Sequence, residues 1–364
     1  MKERITLGLL IDQLVSGYAR SIIDGVSSGS RDLDANLIVF SGRVLGIPRG
    51  HEYQNNVIFD YIKPGTIDAL VMATGTQGSF LPFDQLLSYF GRLKGIPLVS
   101  ISIRIEGVPS ILTDNRAGIL EAMDHLVLVH GLRRIAFLKG PEFNREAQER
   151  FAAYRDALRA RGLDEDPDLW MPGDFTRASA RQSLSQYFAR HARPDFQALV
   201  AANDETAIGA IEALREHGCS VPRDVSVIGF DNIPDAQFVV PSITTVGQRL
   251  IEQGRTAATM AAALARGEAA PREIVLPARL ILRTSCGCLP ATVAALDALP
   301  TGPGRAGPSA MDAAKIVEQS LPEQSPAAIR RNLNMLAAGG RHECLPGNPP
   351  GDNERGGCRR DRYH

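Results

Sequence analysis

The chain has 364 residues, 44% of them hydrophobic and 22% charged, and its formal net charge is −1. That length suggests two domains or lobes, and so small a net charge supplies no global field to draw the chain to nucleic acid or an anionic membrane. No run of about 18 apolar residues occurs, so no membrane-spanning helix is expected.

The start, MKERITLGLLID, has too short an apolar part for a signal peptide and no small-residue cleavage site. A cytoplasmic protein that begins on its first strand is expected. ITLGLLI reads as a buried strand and YARSIIDGVSSGSRDL as a helix with Ile22, Ile23 and Val26 on one side. NLIVFS is a strand, NNVIFDYI a short helix, DALVMAT a strand, FDQLLSYFGRL a helix and PLVSISI a strand. Alternating βα units of this kind imply parallel sheets covered on both faces by helices.

A second run begins near residue 114. DNRAGILEAMDHLVLVHG reads as one helix, capped by Asp114 or Asn115 and stopped at Gly131. The strand RIAFLKG, the helix REAQERFAAYRDALRARG, the strand FQALVAA, the helix ETAIGAIEALREHG and the strand VSVIGF follow. After residue 288 the character changes. LPTGPGRAGPS is a turn-rich linker, residues 312–338 suit two short helices, and the remainder has the composition of a disordered tail.

Five cysteines, Cys219, Cys286, Cys288, Cys344 and Cys358, match no disulfide framework. Cys286 and Cys288 are closer together than the usual zinc pair, and joining Cys344 and Cys358 to them would make four thiolates. Free thiols in a reducing compartment are the simpler reading, and neither a metal site nor a cofactor is expected. The seven histidines are scattered, with His125 and His130 inside or at the end of a helix. There is no HExxH or P-loop pattern, and GTQGS at 75–79 lacks the lysine and length of a phosphate loop. No enzymatic activity is expected.

Buried strands that stop at acids and amides carry the functional signal. FQALVAA stops at Asn203 and Asp204, VSVIGF at Asp231 and Asn232, and LLI at Asp12. A parallel sheet puts its strand C-termini on one edge, where ligands of doubly wound folds bind. Helix capping competes with that role. Asp204, directly before a helix, reads as a cap, while Asn203 and Asp231 are open to either use.

The stretches ILTDNRAGILEAMDHLVLVHGLRRIAFLKGP, AANDETAIGAIEALREHGCSVPRDVSVIGFDNIPDA, PSITTVGQRLIEQGRTAATMA and LPARLILRTSCGC resemble the effector-binding core of the lac repressor (LacI/GalR) family over residues 5–288. The last stretch, with VHG at 129–131, is similar to a branch in which this core is the sensor ahead of a diguanylate cyclase (GGDEF) or histidine kinase module.

The resemblance implies an α/β fold of two doubly wound parallel-sheet lobes with a ligand cleft between them, the type I periplasmic-binding-protein-like architecture. It divides the chain into a first lobe of 5–113 plus 246–270, a second of 114–245 plus 271–288, and a linker and tail of 289–364. It also implies the cleft residues. Arg150 presents its donor fork to ligand oxygens and Phe175 stacks on a ring. Asn203 and Asp231 bond the ligand from the second lobe, and Asp12 and Tyr18 reach it from the first βα loop. Thr74, Ser102 and Gln248 are weaker candidates.

A small-molecule effector and a homodimer are the partners implied. No helix-turn-helix pattern precedes the first strand, so direct DNA binding by this chain is not expected. No output-module motif follows residue 288, which suggests a separate or lost output module. The function expected is a sugar or nucleoside sensor acting by lobe closure. The alternatives are a LacI-family DNA-binding regulator, a periplasmic receptor and an enzyme.

Overall fold

The structure, a computed structural model, describes residues 4–47 and 51–288. The linker and tail expected for 289–364, with Cys344 and Cys358, lie outside the described residues.

The first run comprises β1 (Thr6–Ile11), α1 (Gly17–Asp32), β2 (Asn36–Ser41), β3 (Ala69–Met72), α2 (Thr74–Gln77), α3 (Phe83–Phe90), β4 (Leu98–Ile101) and β5 (Ser110–Thr113). A 3-10 helix at Glu52–Tyr61 stands where a short helix is expected. The second run comprises α4 (Asn115–Asp124), β6 (Ile135–Leu138), α5 (Arg145–Ala160), β7 (Trp170–Met171), α6 (Arg177–Phe188), β8 (Ala198–Ala201), α7 (Asp204–Glu216), β9 (Ser226–Asp231), α8 (Asp235–Phe238) and β10 (Thr244–Gly247). Then come α9 (Leu250–Ala265), β11 (Glu273–Leu276) and β12 (Arg279–Ile281).

These strands form two sheets with the same winding. One has the order β11-β5-β4-β3-β1-β2 and the other β12-β10-β9-β8-β6-β7. All pairings are parallel except β10 with β12. In each sheet the order reverses beside one strand, at β1 in the first and at β6 in the second. That reversal parts the loops at the carboxyl edge and opens a crevice. Apolar cores cover both faces of each sheet, as continuous buried strands such as ALVM and ALVA require.

The chain crosses between the sheets after β5, after β10 and after β11. The expected return to the second lobe near Pro271 falls too early, because β11 pairs with β5 in the first sheet, Glu273 opposite Ser110. Its burial pattern, exposed at Glu273 and Val275, is that of an edge strand, which sequence periodicity assigns to neither sheet. β5, β7 and α6 were also not read from sequence. β5 and β7 hold only two apolar residues each, and α6 has a weak apolar stripe.

α9 returns to the first sheet and lies against α1. The contact depends on glycine. A Cβ on Gly25 would stand 2.2 Å from the Ile251 carbonyl oxygen, and one on Gly254 would stand 2.5 Å from that of Ile22. The two backbones therefore touch. No described helix is long and apolar enough to cross a membrane.

Candidate functional site

A cavity of about 650 Å³ lies between the carboxyl edges of the two sheets. Asp12 and Tyr18 after β1, and Gly75 and Thr76 after β3, line it from the first sheet. Asn144, Glu146 and Arg150 after β6, Phe175 after β7, Asn203 after β8 and Asp231 ending β9 line it from the second. Gln248, just past β10, also faces it. Asp12, Tyr18, Arg150, Phe175, Asn203, Asp231 and Gln248 are thus brought to one cavity.

Thr74 and Ser102 stand behind that wall. Thr74 is fully buried, its hydroxyl donating to the Met72 carbonyl and accepting from Ser100 Oγ at 2.9 Å. Ser102 Oγ lies 3.3 Å from the Tyr18 hydroxyl and holds that ring's polar end.

Arg150 is buried. Its Nε donates to Asn115 Oδ1 at 2.9 Å and Nη1 to the Ala202 carbonyl at 2.8 Å. Its guanidinium lies 3.8 Å from the Phe230 ring centroid. Glu146 and Asp231 flank it at 3.5 and 3.6 Å. A rigid planar fork suits this post, since one cation serves two carboxylates while its remaining donors are satisfied.

Asp231 is held from the other side by the side-chain amide of Gln248, whose own Oε1 accepts from Thr113 at 3.0 Å. The Asp231 backbone has φ +112°. A left-handed conformation on a non-glycine residue costs of order 1–3 kcal/mol and is retained where neighbours impose it, often at ligand sites. Phe175 and Ser102 share positive φ, at +69° and +76°.

The cap expectation at residues 203 and 204 is reversed. Asn203 is the N-cap of α7, its Oδ1 accepting from Thr206 N at 2.9 Å, and its Nδ2 donates to the Phe175 carbonyl at 3.2 Å. Asp204 lies inside the helix, fully buried, and accepts from Ile233 N at 2.9 Å and Thr245 Oγ1 at 2.6 Å. It ties the β9 loop to β10. A helix boundary shifted by one residue separates these roles, and sequence pattern does not resolve one residue.

Asn144 and Glu146 were not singled out from sequence as cleft residues. Asn144 carries an N-cap signal, but nothing in REAQER marks Glu146 as an inward-facing acid. Burial pushes the carboxyls of Asp12, Glu146 and Asp231 above the usual range. For Glu146 and Asp231 the Arg150 charge opposes this only in part. Two buried carboxylate oxygens, Asp12 Oδ1 and Glu146 Oε1, make no hydrogen bond, although Glu146 Oε1 is the atom ion-paired with Arg150 Nη2 at 3.5 Å. They come from opposite lobes and belong to residues lining the same cavity. An unsatisfied buried acceptor costs about 1–3 kcal/mol.

Paired doubly wound sheets with a polar cleft between their carboxyl edges define a type I periplasmic-binding-protein-like fold. Residues 123–286 match the family model described as a periplasmic binding protein-like domain. Over 258 residues, 70% of this chain and 73% of the relative, the sequence is 28% identical to the HTH-type transcriptional regulator RegA of Clostridium saccharobutylicum. It is 37% identical over 151 residues to AscG of Escherichia coli, covering 42% of this chain and 44% of that one.

Among solved structures, the transcriptional regulator CelR in its cellobiose complex superposes with TM-score 0.66 at 28% identity, over 78% of this chain and 86% of that one. The chain therefore carries a periplasmic-binding-protein-like domain similar to the effector-binding domains of LacI-family transcriptional regulators. All three of these relatives are transcriptional regulators by name.

Proposed function

We propose that this chain binds an uncharged, hydroxyl-rich small molecule, a sugar or nucleoside, in the cleft and signals by lobe closure. The observation that carries this reading is the pair of buried carboxyls of Asp12 and Glu146, on residues that line one cavity from opposite lobes. Ligand hydroxyls donate to such acceptors, and a molecule that reaches both lobes stabilises the closed arrangement over the open one. The Phe175 ring offers a face for the carbon skeleton of a pyranose or the plane of a base. The cellobiose bound by CelR, one of the relatives in structure, supports a saccharide.

The chain acts in this reading as the sensing domain of a LacI-type regulatory protein, as a homodimer in the cytoplasm. The output is either DNA binding, as the names of its relatives suggest, or a signalling module. A thermal-shift screen against mono- and disaccharides, nucleosides and nucleobases tests the binding. A ligand at a hundred times its Kd adds about 2.7 kcal/mol, a rise of roughly 5–10 °C for a protein of this size. No shift with any member from folded protein would defeat the ligand class. A gel shift with the full chain, with and without the hit, decides between the two outputs.

A further inference from the structure

We infer that the chain holds a tetrahedral zinc ion between His125, His130, Cys286 and Cys288. One ligand atom from each of these residues lies within 4.8 Å of all the others. His125 Nε2 and His130 Nε2 are 3.1 Å apart, and Cys288 Sγ lies 3.6 Å from the first and 3.4 Å from the second. Zinc bound by nitrogen at about 2.0–2.1 Å and sulfur at about 2.3 Å puts tetrahedral neighbours roughly 3.3 Å apart for two nitrogens and 3.6 Å for nitrogen and sulfur. The three spacings among His125, His130 and Cys288 are close to those edges, and Cys286 Sγ lies within 4.8 Å of each of the three.

The backbone on both sides is shaped to make this cluster. α4 widens into a π-helical turn at His125–Val129, with His130 N bonded to the His125 carbonyl. At the ordinary 3.6 residues per turn, side chains five apart point about 140° away from each other. The wider turn brings both imidazoles to one face, and such turns recur at functional positions. Opposite them, Gly287 adopts φ +98°, folding Cys-Gly-Cys into a turn. A Cβ there would stand 3.7 Å from His130 Cε1, so the turn lies against the imidazole. Extended backbone would instead hold the two thiols about 7 Å apart, at two strand rises.

The donor set selects the metal. Two thiolates and two imidazoles in tetrahedral array suit zinc, and two thiolate charges neutralise the dication, so a half-buried site carries no net charge. Binding releases one proton from each thiol to solvent. Ser285 Oγ donates to the Val227 carbonyl at 2.6 Å and Ser226 Oγ to the Cys286 carbonyl at 3.1 Å, anchoring the cysteine turn at the amino end of β9. Asp231 and the cleft lie at that strand's opposite end. The ion therefore clips the segment after β12 to the end of α4 and does not touch the effector. This inference stands apart from the reading of the cleft.

The test is the metal content of the full chain, purified with reduced thiols and without a metal-affinity tag, by mass spectrometry. Stoichiometric zinc is expected. It is lost in Cys286→Ser/Cys288→Ser and kept in Cys344→Ser/Cys358→Ser. Cobalt(II) added to the demetallated chain gives a thiolate-to-cobalt charge-transfer band and the intense visible bands of a tetrahedral ion. If the cysteine variant does not fold, His130→Gln at a half-buried position serves instead, with reduced zinc affinity expected. Zinc that follows Cys344 and Cys358, or a reduced chain that neither contains nor takes up zinc or cobalt, overturns the site.

Discussion

The Asn144 side-chain amide of the second lobe donates to the Gly75 carbonyl of the first at 2.8 Å and to Ser79 Oγ at 3.2 Å. Its Oδ1 meanwhile accepts from Ala147 N at 2.8 Å and caps α5. One side chain thus joins the lobes at the cavity edge and starts the helix that carries Glu146 and Arg150. The two duties separate by substitution. Asn144→Ser keeps a good cap and loses the donor across the cleft. We expect little change in unliganded Tm and a loss of effector affinity of up to about fivefold, the worth of one net hydrogen bond. Asn144→Ala is expected to lose about 1 kcal/mol of stability in addition, read by denaturant titration.

Asp231 sets stability against binding. Its carboxyl is buried beside Asp204 and Glu146, and burial outweighs the Arg150 charge. A neutral isostere avoids that cost, keeps Glu146 against Arg150, and tolerates positive φ as aspartate does. Asp231→Asn is therefore expected to raise the unliganded Tm at neutral pH by a few degrees, about 1 kcal/mol in a domain of this size. It should also reduce the effector-dependent shift by more than half. A lower unliganded Tm would show that the Arg150 pairing outweighs burial.

The same buried acids set a pH dependence. Asp12, Glu146 and Asp231 are raised, and burial lifts Asp204 to about 7. Above the ordinary carboxylate value of about 3.9–4.3 the unfolded chain has released these protons while the folded chain keeps them. The unfolded state then binds fewer protons, so their stabilising contribution is complete below about pH 4 and fades as pH rises towards 7. Between pH 5 and 7 the unliganded Tm should decline with rising pH, and the decline should be shallower in Asp231→Asn. Equal slopes for the two proteins would remove Asp231 from the set.

The first lobe depends on the contact between α1 and α9. Gly254→Ala places a methyl 2.5 Å from the Ile22 carbonyl oxygen, and the obstacle is backbone, which no rotamer change relieves. A loss of roughly 1–3 kcal/mol is expected, as for other overpacked sites. Ala258→Gly on the same helix removes a methyl instead of adding one and should cost about 1 kcal/mol through helix propensity. Urea unfolding of both variants compares them.

Much of the fold was legible because its strands are short apolar runs and its long helices carry caps and apolar stripes. NLIVFS is the strand β2 without a shift of residue, and Asp114 caps α4 through Ala117 N. β5 and β7 escaped because each holds only two apolar residues, and β11 because it is an edge strand exposed at Glu273 and Val275; their place is set by the strand they pair with. In the cleft, Asp12 and Asp231 stood out as acids closing apolar runs. Glu146 did not, because an acid within a helix looks the same whether it faces water or a cavity.

By itself the sequence determined the alternation of strand and helix, the polar chemistry at the strand ends and the resemblance to an effector-binding core. Those are properties of neighbours along the chain. Only the tertiary structure decided that Glu146 and Asp231 share the Arg150 charge, that Asn144 reaches Gly75, and that two histidines meet two cysteines some 160 residues further on. Such relations depend on which strand lies beside which and on where the chain crosses between sheets. Burial then turns that placement into chemistry, because a carboxyl, a guanidinium or a thiol taken out of water must find its partner among whatever groups the fold has put beside it.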